Sequence, residues 1–407
     1  MRTRRVLVVL GIVAGLTAGL PAGGRVRAEG ASASLAEARA EAGRVLAAGQ
    51  AAAAADTLPA RLTDQEFWRL SEDLSEPNGY FRSDNLVSNE IWLQYVIPEL
   101  LTRSRQNSVY LGVGPEQNFT YIAALKPKMV FITDVRRGNL HMHLMYKALF
   151  EMTSNRADFV AMLFNKKRPA GLTDKSSAGD IINAFWNLPT SPESEYKANL
   201  KAIQDHLTKT RSLPLTKDDL DGIEYVYWSF YWYGPAINYN SSSPQQNGRP
   251  MTSYGDLMMA TDGNNVNRHF LSSEDSFKVI KDLHSKNLFV PVVGNFGGPK
   301  ALRAVGKYVR EHGATVAAMY LSNVEQYLNQ DGIWGIFCAN VASMPLDEKS
   351  TFIRSFQGGA SGGGGSGLTN GLGSMLNETR GCGSRLGRTA PLPLHSTDGR
   401  TSGALVR

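Results

Sequence analysis

The chain has 407 residues, of which 42 % are hydrophobic, 9 % aromatic and 20 % charged, a composition that excludes a wholly disordered or collagen-like chain. Its formal net charge of +6 comes from the ends: residues 1–28 carry five arginines and no acid, and residues 358–407 carry five arginines against Glu378 and Asp398. The body between them is slightly acidic, which excludes the concentrated basic face of a nucleic-acid-binding domain, and two cysteines exclude a disulfide framework.

In chain order, residues 1–28 read as a signal peptide. Arg2, Arg4 and Arg5 form a positive start, Val6 to Leu20 a short apolar run, and Val26-Arg27-Ala28 offers small residues before a cleavage point. The expected location is periplasmic or secreted, in a bacterium, with no stable membrane anchor after cleavage. Residues 29–57 are an Ala-rich low-complexity linker with little apolar face to bury. Folded structure is expected from residue 58. Thr63-Asp-Gln-Glu66 has the spacing of a capping box, and Leu62 and Phe67 are placed to staple it.

Apolar runs then alternate with helical patterns. Strands are predicted at 108–113, 129–134, 288–293 and 315–322, with helices at 119–125, 140–152 and 300–312. Unbroken apolar strands separated by helices indicate a parallel sheet covered on both faces. The runs 335–344 and 351–356, joined by a short polar link, predict a closing antiparallel hairpin. Residues 165–255 read as an insertion. It contains Tyr225-Val-Tyr-Trp-Ser-Phe-Tyr-Trp-Tyr233, either a core segment against the sheet or a wall for an apolar or sugar-like ligand. Residues 358–407 are glycine-rich at first and lack periodicity, so they are expected to form a disordered tail. With Cys338 in an apolar strand-like run and Cys382 in that tail, no native bridge between them is expected.

The sharpest local signal is Tyr110-Leu-Gly-Val-Gly-Pro-Glu-Gln-Asn118 followed, 20 residues after Gly114, by Asp134. A Gly-X-Gly turn after a first strand lets backbone approach a ligand, and an acid ending the second strand holds ribose hydroxyls. Over residues 105–357 this resembles the class I S-adenosylmethionine-dependent methyltransferases, with Tyr110 where that family usually has an acid and Glu116 where it has a small residue. The resemblance implies a doubly wound, mostly parallel seven-stranded α/β sheet with a terminal antiparallel hairpin and a helical N-terminal cap, spanning 58–357. It implies S-adenosylmethionine as cofactor, held by Gly112, Gly114 and Asp134, with Tyr80 and Asp84 of the preceding loop covering it. Adenosylmethionine is an intracellular metabolite, so an exported chain implies a different ligand or a different address.

Ligands of open parallel sheets sit beyond the carboxyl ends of the strands. Glu116 and Glu325 are the expected acid–base residues there, with Asn295 and Asn323 orienting a substrate. Gly297-Gly-Pro-Lys300 opens a helix after a strand and suits an anion. His141 and His143 stand two apart on a helix, and no cluster has metal-ligand spacing, so no metal is expected. Two functions follow. One is an exported, methyltransferase-like protein binding a nucleoside-like or other small polar ligand at the Gly112/Gly114 turn, with group transfer if it is catalytic. The other is a non-catalytic binding or scaffold protein on the same fold.

Overall fold

In the computed structural model the described residues are 56–241, 245–246, 249–357 and 368–382. The signal-peptide and most of the linker reading, residues 1–55, lie outside them, as do 358–367 and 383–407. The main sheet has six strands, β1 (Val109–Gly112), β2 (Met129–Asp134), β3 (Phe289–Val293), β4 (Val316–Ser322), β5 (Thr351–Gln357) and β6 (Leu368–Ser374), and a separate two-residue ladder pairs Gln245–Gln246 with Arg249–Pro250. Every residue of β1, β2 and β3 is buried, as parallel strands covered on both faces require. The sheet order is β3-β2-β1-β4-β5-β6, parallel from β3 to β5, with β6 antiparallel. Val109 pairs with Met129 and Phe289 with Val130. This is a Rossmann-like order whose topological switch point lies between β1 and β4. Six strands, not the expected seven, make up this sheet.

The helices are α1 (Asp64–Leu74), α2 (Ile97–Arg103), α3 (Gln117–Leu125), α4 (Arg137–Met152), α5 (Arg156–Leu163), α6 (Ala178–Trp186), α7 (Glu193–Asp205), α8 (Lys217–Tyr233), α9 (Tyr254–Met259), α10 (Glu274–Ser285), α11 (Ala301–Glu311), α12 (Val324–Gln330), α13 (Trp334–Ala342) and α14 (Met375–Thr379). None is long and apolar enough to cross a membrane. The capping box forms at α1: Thr63 N donates to Glu66 Oε2 at 2.8 Å and Glu66 N to Thr63 Oγ1 at 3.2 Å. Helices α1, α11 and α13 cover one face of the sheet, where Phe131 meets Tyr308 at 5.7 Å between ring centres. On the other face lie α3, α4 and α10, with Phe119 against Phe289 at 5.7 Å.

The insertion is helical, and α8 carries the aromatic run. Val226, Tyr227 and Phe230 face inward, Phe230 lying 5.9 Å from Tyr146 of α4, while Tyr225, Trp228 and Trp232 are exposed. The run therefore serves as core on one side only, which is what a 3.6-residue period imposes. Asp219 anchors it. This carboxylate caps α8 through Thr216 and accepts from Arg137 Nε at 2.7 Å and His141 Nε2 at 2.9 Å. Burial alone would raise its pKa, but these bonds hold it below the usual carboxylate range.

The C-terminal region differs most from expectation. Residues 334–342 form α13 rather than a strand, because Phe337, Cys338 and Val341 bury one helical face. The antiparallel partner of β5 is instead β6, within the segment expected to be a free tail. Its glycines permit close approach: a Cβ on Gly371 would press on the Phe356 ring, and one on Gly373 on the Arg354 and Glu378 side chains. Met375 is fully buried, Met375 N donates to Ser350 O at 2.9 Å, and Cys382 is joined to Cys338. The Cα atoms are 5.6 Å apart, which suits a disulfide, so a bridge that was not expected from the sequence is present. The domain thus extends to residue 382.

Chain entropy over the 44 residues that the bridge spans amounts to about 4 kcal/mol. Cys382→Ser is expected to lower the melting temperature by at least about 5 °C, and truncation after Gln357 by more. An unchanged melting temperature after that truncation would show that β6 and α14 are not part of the folded unit.

Candidate functional site at the switch point

The switch point between β1 and β4, where open parallel sheets place a ligand crevice, is covered by the turn after β1, the end of β4, and residues 75–92, which cross it without regular secondary structure before a turn of 3-10 helix at Leu93–Val96. Gly112 is not open to a ligand. A Cβ there would collide with the Asn118 carboxamide, which accepts from Tyr110 Oη at 2.9 Å and donates to Val113 O at 2.9 Å and Pro115 O at 2.8 Å. Gly114 takes φ +77°, the left-handed region that favours glycine, and turns the chain into α3. Its carbonyl accepts from His143 Nε2 at 3.0 Å. Burial lowers the His143 pKa to about 4, so the ring is neutral with its proton on Nε2.

Asp134 ends β2 as expected, yet both of its oxygens face Arg136, at 3.1 Å from Nε and 3.0 Å from Nη2. Arg136 also donates to the carbonyls of Ser83 and Asp84, which ties the loop before the sheet to the end of β2. Asp84 is exposed and its carboxylate accepts from Tyr225 Oη, while Tyr80 is 85 % exposed. Asn295 forms a local turn, its Oδ1 accepting from Gly297 N at 2.9 Å. The anion that the Gly297-Gly-Pro-Lys300 stretch suits is Glu76 of the chain itself, which accepts from Lys300 N and Ala301 N at 2.8 Å each. Glu325 is committed to Trp334 Nε1 at 3.2 Å and to Arg354, which also meets Glu378. Asn323 begins α12 without a side-chain cap. Of the acid–base and orienting residues expected from sequence, only Glu116 joins the polar cluster of the crevice.

The residue that sequence reading missed is Glu90. It is 1 % exposed and its Oε1 accepts from Tyr320 Oη and Ser322 Oγ, both at 2.6 Å, while Oε2 accepts from Asn370 Nδ2 at 2.8 Å. Ser322 sits at φ +50°, a strained conformation for a residue other than glycine, at the carboxyl end of β4. Gln117 Nε2 donates to Tyr320 Oη at 3.1 Å. Ser88 links the two acids: its N–H donates to Glu116 Oε1 at 3.2 Å and its hydroxyl accepts from Glu90 N at 3.1 Å. The signal that could have identified Glu90 is a lone acid inside the apolar stretch Leu86-Val-Ser-Asn-Glu-Ile-Trp92.

Glu116 is fully buried, and Oε2 has no hydrogen-bond partner; Gln117 Oε1 and Asn370 Oδ1, also buried, have none either. Among the described residues no cation pairs with Glu90 or Glu116. Burial, reinforced by the nearby Glu90, pushes the Glu116 pKa up to about 8. No group of three or more metal-ligating side chains occurs among the described residues.

The donor set does not fit an adenosyl ligand: the surface over Gly112 is filled by Asn118, and the acid expected to hold the ribose is bonded by Arg136. Fold and site together define a Rossmann-like α/β protein with a buried, polar, acid-containing cluster at the switch point. The chain belongs to the family described as a domain of unknown function (DUF7790), whose model matches residues 85–214 and 238–367, more than half of the chain. No curated protein matches it. The two matched segments flank α8, so the aromatic helix lies outside the family pattern.

The raised pKa of Glu116 fixes a pH dependence. The folded chain keeps a proton that the unfolded chain releases near 4.5, so this contribution to stability is complete below that value. It is lost as pH rises towards about 8, at roughly 1 kcal/mol per pH unit. Urea unfolding of Glu116→Gln against the parent should show the parent falling relative to the variant between pH 5 and 8; parallel profiles would place the proton elsewhere.

Proposed function

We propose that this chain is an exported, non-catalytic small-ligand-binding protein on a methyltransferase-like fold, with its ligand in the crevice between β1 and β4 and without adenosylmethionine. The observation that carries this reading is the division of labour at the carboxyl ends of the strands. The groups that would read a nucleotide are bonded within the chain, as Gly112 with Asn118 and Asp134 with Arg136. Glu90, Glu116, Tyr320, Ser322 and Asn370, drawn from separate parts of the sequence, converge on one polar site. Export is supported by the charge and apolar pattern of residues 1–28 and by a disulfide, which persists in oxidising compartments.

Calorimetry of the purified chain with adenosylmethionine and with adenosylhomocysteine is expected to give no binding tighter than about 1 mM. Micromolar binding of either would restore the methyltransferase reading. A panel of small polar molecules screened by thermal shift should contain stabilisers whose effect is lost in Tyr320→Phe; a panel with none would favour a scaffold.

A further inference from the structure

Immediately after Glu90 the chain leaves the buried cluster and forms one wall of an open groove of about 550 Å³, a volume within the range of small-molecule sites. Ile91, Trp92 and Tyr95 line that wall; Met251, Asp256 and Met259, from the loop before α9 and from α9 itself, line the other. Gln94 fixes the walls to each other. It is fully buried, its Nε2 donates to Ala260 O at 2.9 Å, and its Oε1 accepts from Arg268 N at 2.5 Å. A groove clamped in this way needs little rearrangement to receive a ligand.

Two features of the lining point to one kind of occupant. Trp92 and Tyr95 are left 37 % and 48 % exposed, with their rings at right angles and 5.1 Å between centres, so the wall presents two aromatic surfaces rather than one. Asp256 is the only charged side chain lining the groove among the described residues. Its Oδ2 caps α9 by accepting from Ser253 N at 2.9 Å and Ser253 Oγ at 2.7 Å, while its Oδ1 accepts no bond among the described residues. No basic side chain among them pairs with it; Arg268 turns to Asp262 instead, at 2.5 Å. Aromatic faces attract a cation through the ring quadrupole, and a carboxylate adds a full negative charge. The apolar remainder of the lining disfavours a strongly hydrated head.

We propose that this groove binds a small molecule with a methylated, quaternary ammonium head and an apolar body, the head lying against Trp92, Tyr95 and Asp256 and the body along Ile91, Met251 and Met259. A quaternary head sheds its water more readily than a primary ammonium and has no N–H donor to leave unpaired. The two methionines, flexible and polarizable, adapt to the shape of the body. No residue of the Glu90–Glu116 cluster lines the groove, so this site goes beyond the crevice reading and is independent of it.

The test is an NMR titration of the whole purified chain that follows the N-methyl signal of choline and the tert-butyl signal of dimethylbutanol, its neutral carbon isostere. Choline is expected to bind at least about tenfold more tightly. Benzyltrimethylammonium, which adds an apolar body, should exceed choline by at least about threefold. Two variants separate charge from packing: Asp256→Asn keeps an oxygen to cap α9, and Trp92→Leu keeps an apolar side chain without a ring. Each, checked for an unchanged circular dichroism spectrum, should weaken choline at least about fivefold and leave dimethylbutanol no weaker. Equal binding of choline and dimethylbutanol, a choline affinity that either variant leaves unchanged, or no saturable choline binding below about 10 mM would overturn the proposal. Choline binding that is lost in Tyr320→Phe and kept in Trp92→Leu would assign the cation to the switch point and overturn it equally.

Discussion

The arrangement of this molecule turns on a pair of carboxyl groups buried at the switch point, with no cation paired to either among the described residues. Burying a charge in a protein interior is tolerated only when hydrogen bonds or a partner charge replace the lost water. Glu90 meets that demand with the hydroxyls of Tyr320 and Ser322 and the amide of Asn370. Glu116 meets it differently, by holding its proton up to about pH 8. The two are coupled, because the nearby Glu90 adds to burial in raising the Glu116 pKa. The crossing segment, the strained end of β4 and the C-terminal strand are all bonded to Glu90 or to its partners, so the covering of the sheet and the chemistry of the crevice are one construction.

That construction explains why the C-terminal region is folded despite its glycines. Asn370 reaches Glu90 only if β6 pairs with β5, and β6 pairs closely only because Gly371 leaves room for the Phe356 ring. The Cys338–Cys382 bridge and the buried Met375 hold the segment against α13 and β5. A strand of low intrinsic propensity is thus retained by tertiary contacts at both ends.

Much of the fold was legible in the sequence. The runs that became β1, β2, β3 and β4 are apolar on both faces, and no other regular structure buries such short runs between helices so well. The run at 334–342 misled because a short apolar stretch fits a strand and a buried helix equally, and the periodicity of Phe337, Cys338 and Val341 became decisive only against the sheet. Strand β6 and the disulfide were illegible, since nothing local in a glycine-rich segment reports a partner far away. For the site, Gly112, Gly114, Asp134 and the Gly297-Gly-Pro turn were recognised as places where a ligand could approach, yet the chain supplies its own occupants in Asn118, Arg136 and Glu76. The physics of a helix N-terminus or a side-chain-free strand end is the same for an internal group as for a ligand, and sequence alone does not separate them. Glu116 was found because it follows a strand; Glu90 was missed because it lies in a segment with no periodicity at all.

The central claim is that Glu116 stays protonated beside a hydrogen-bonded Glu90 at neutral pH. It is tested most directly by carbon-13 NMR of the chain labelled at its glutamate side-chain carboxyls, with the Glu116 resonance assigned from Glu116→Gln. The account predicts a Glu116 carboxyl signal that titrates near pH 8. A signal already at its ionised position by pH 6 would contradict it.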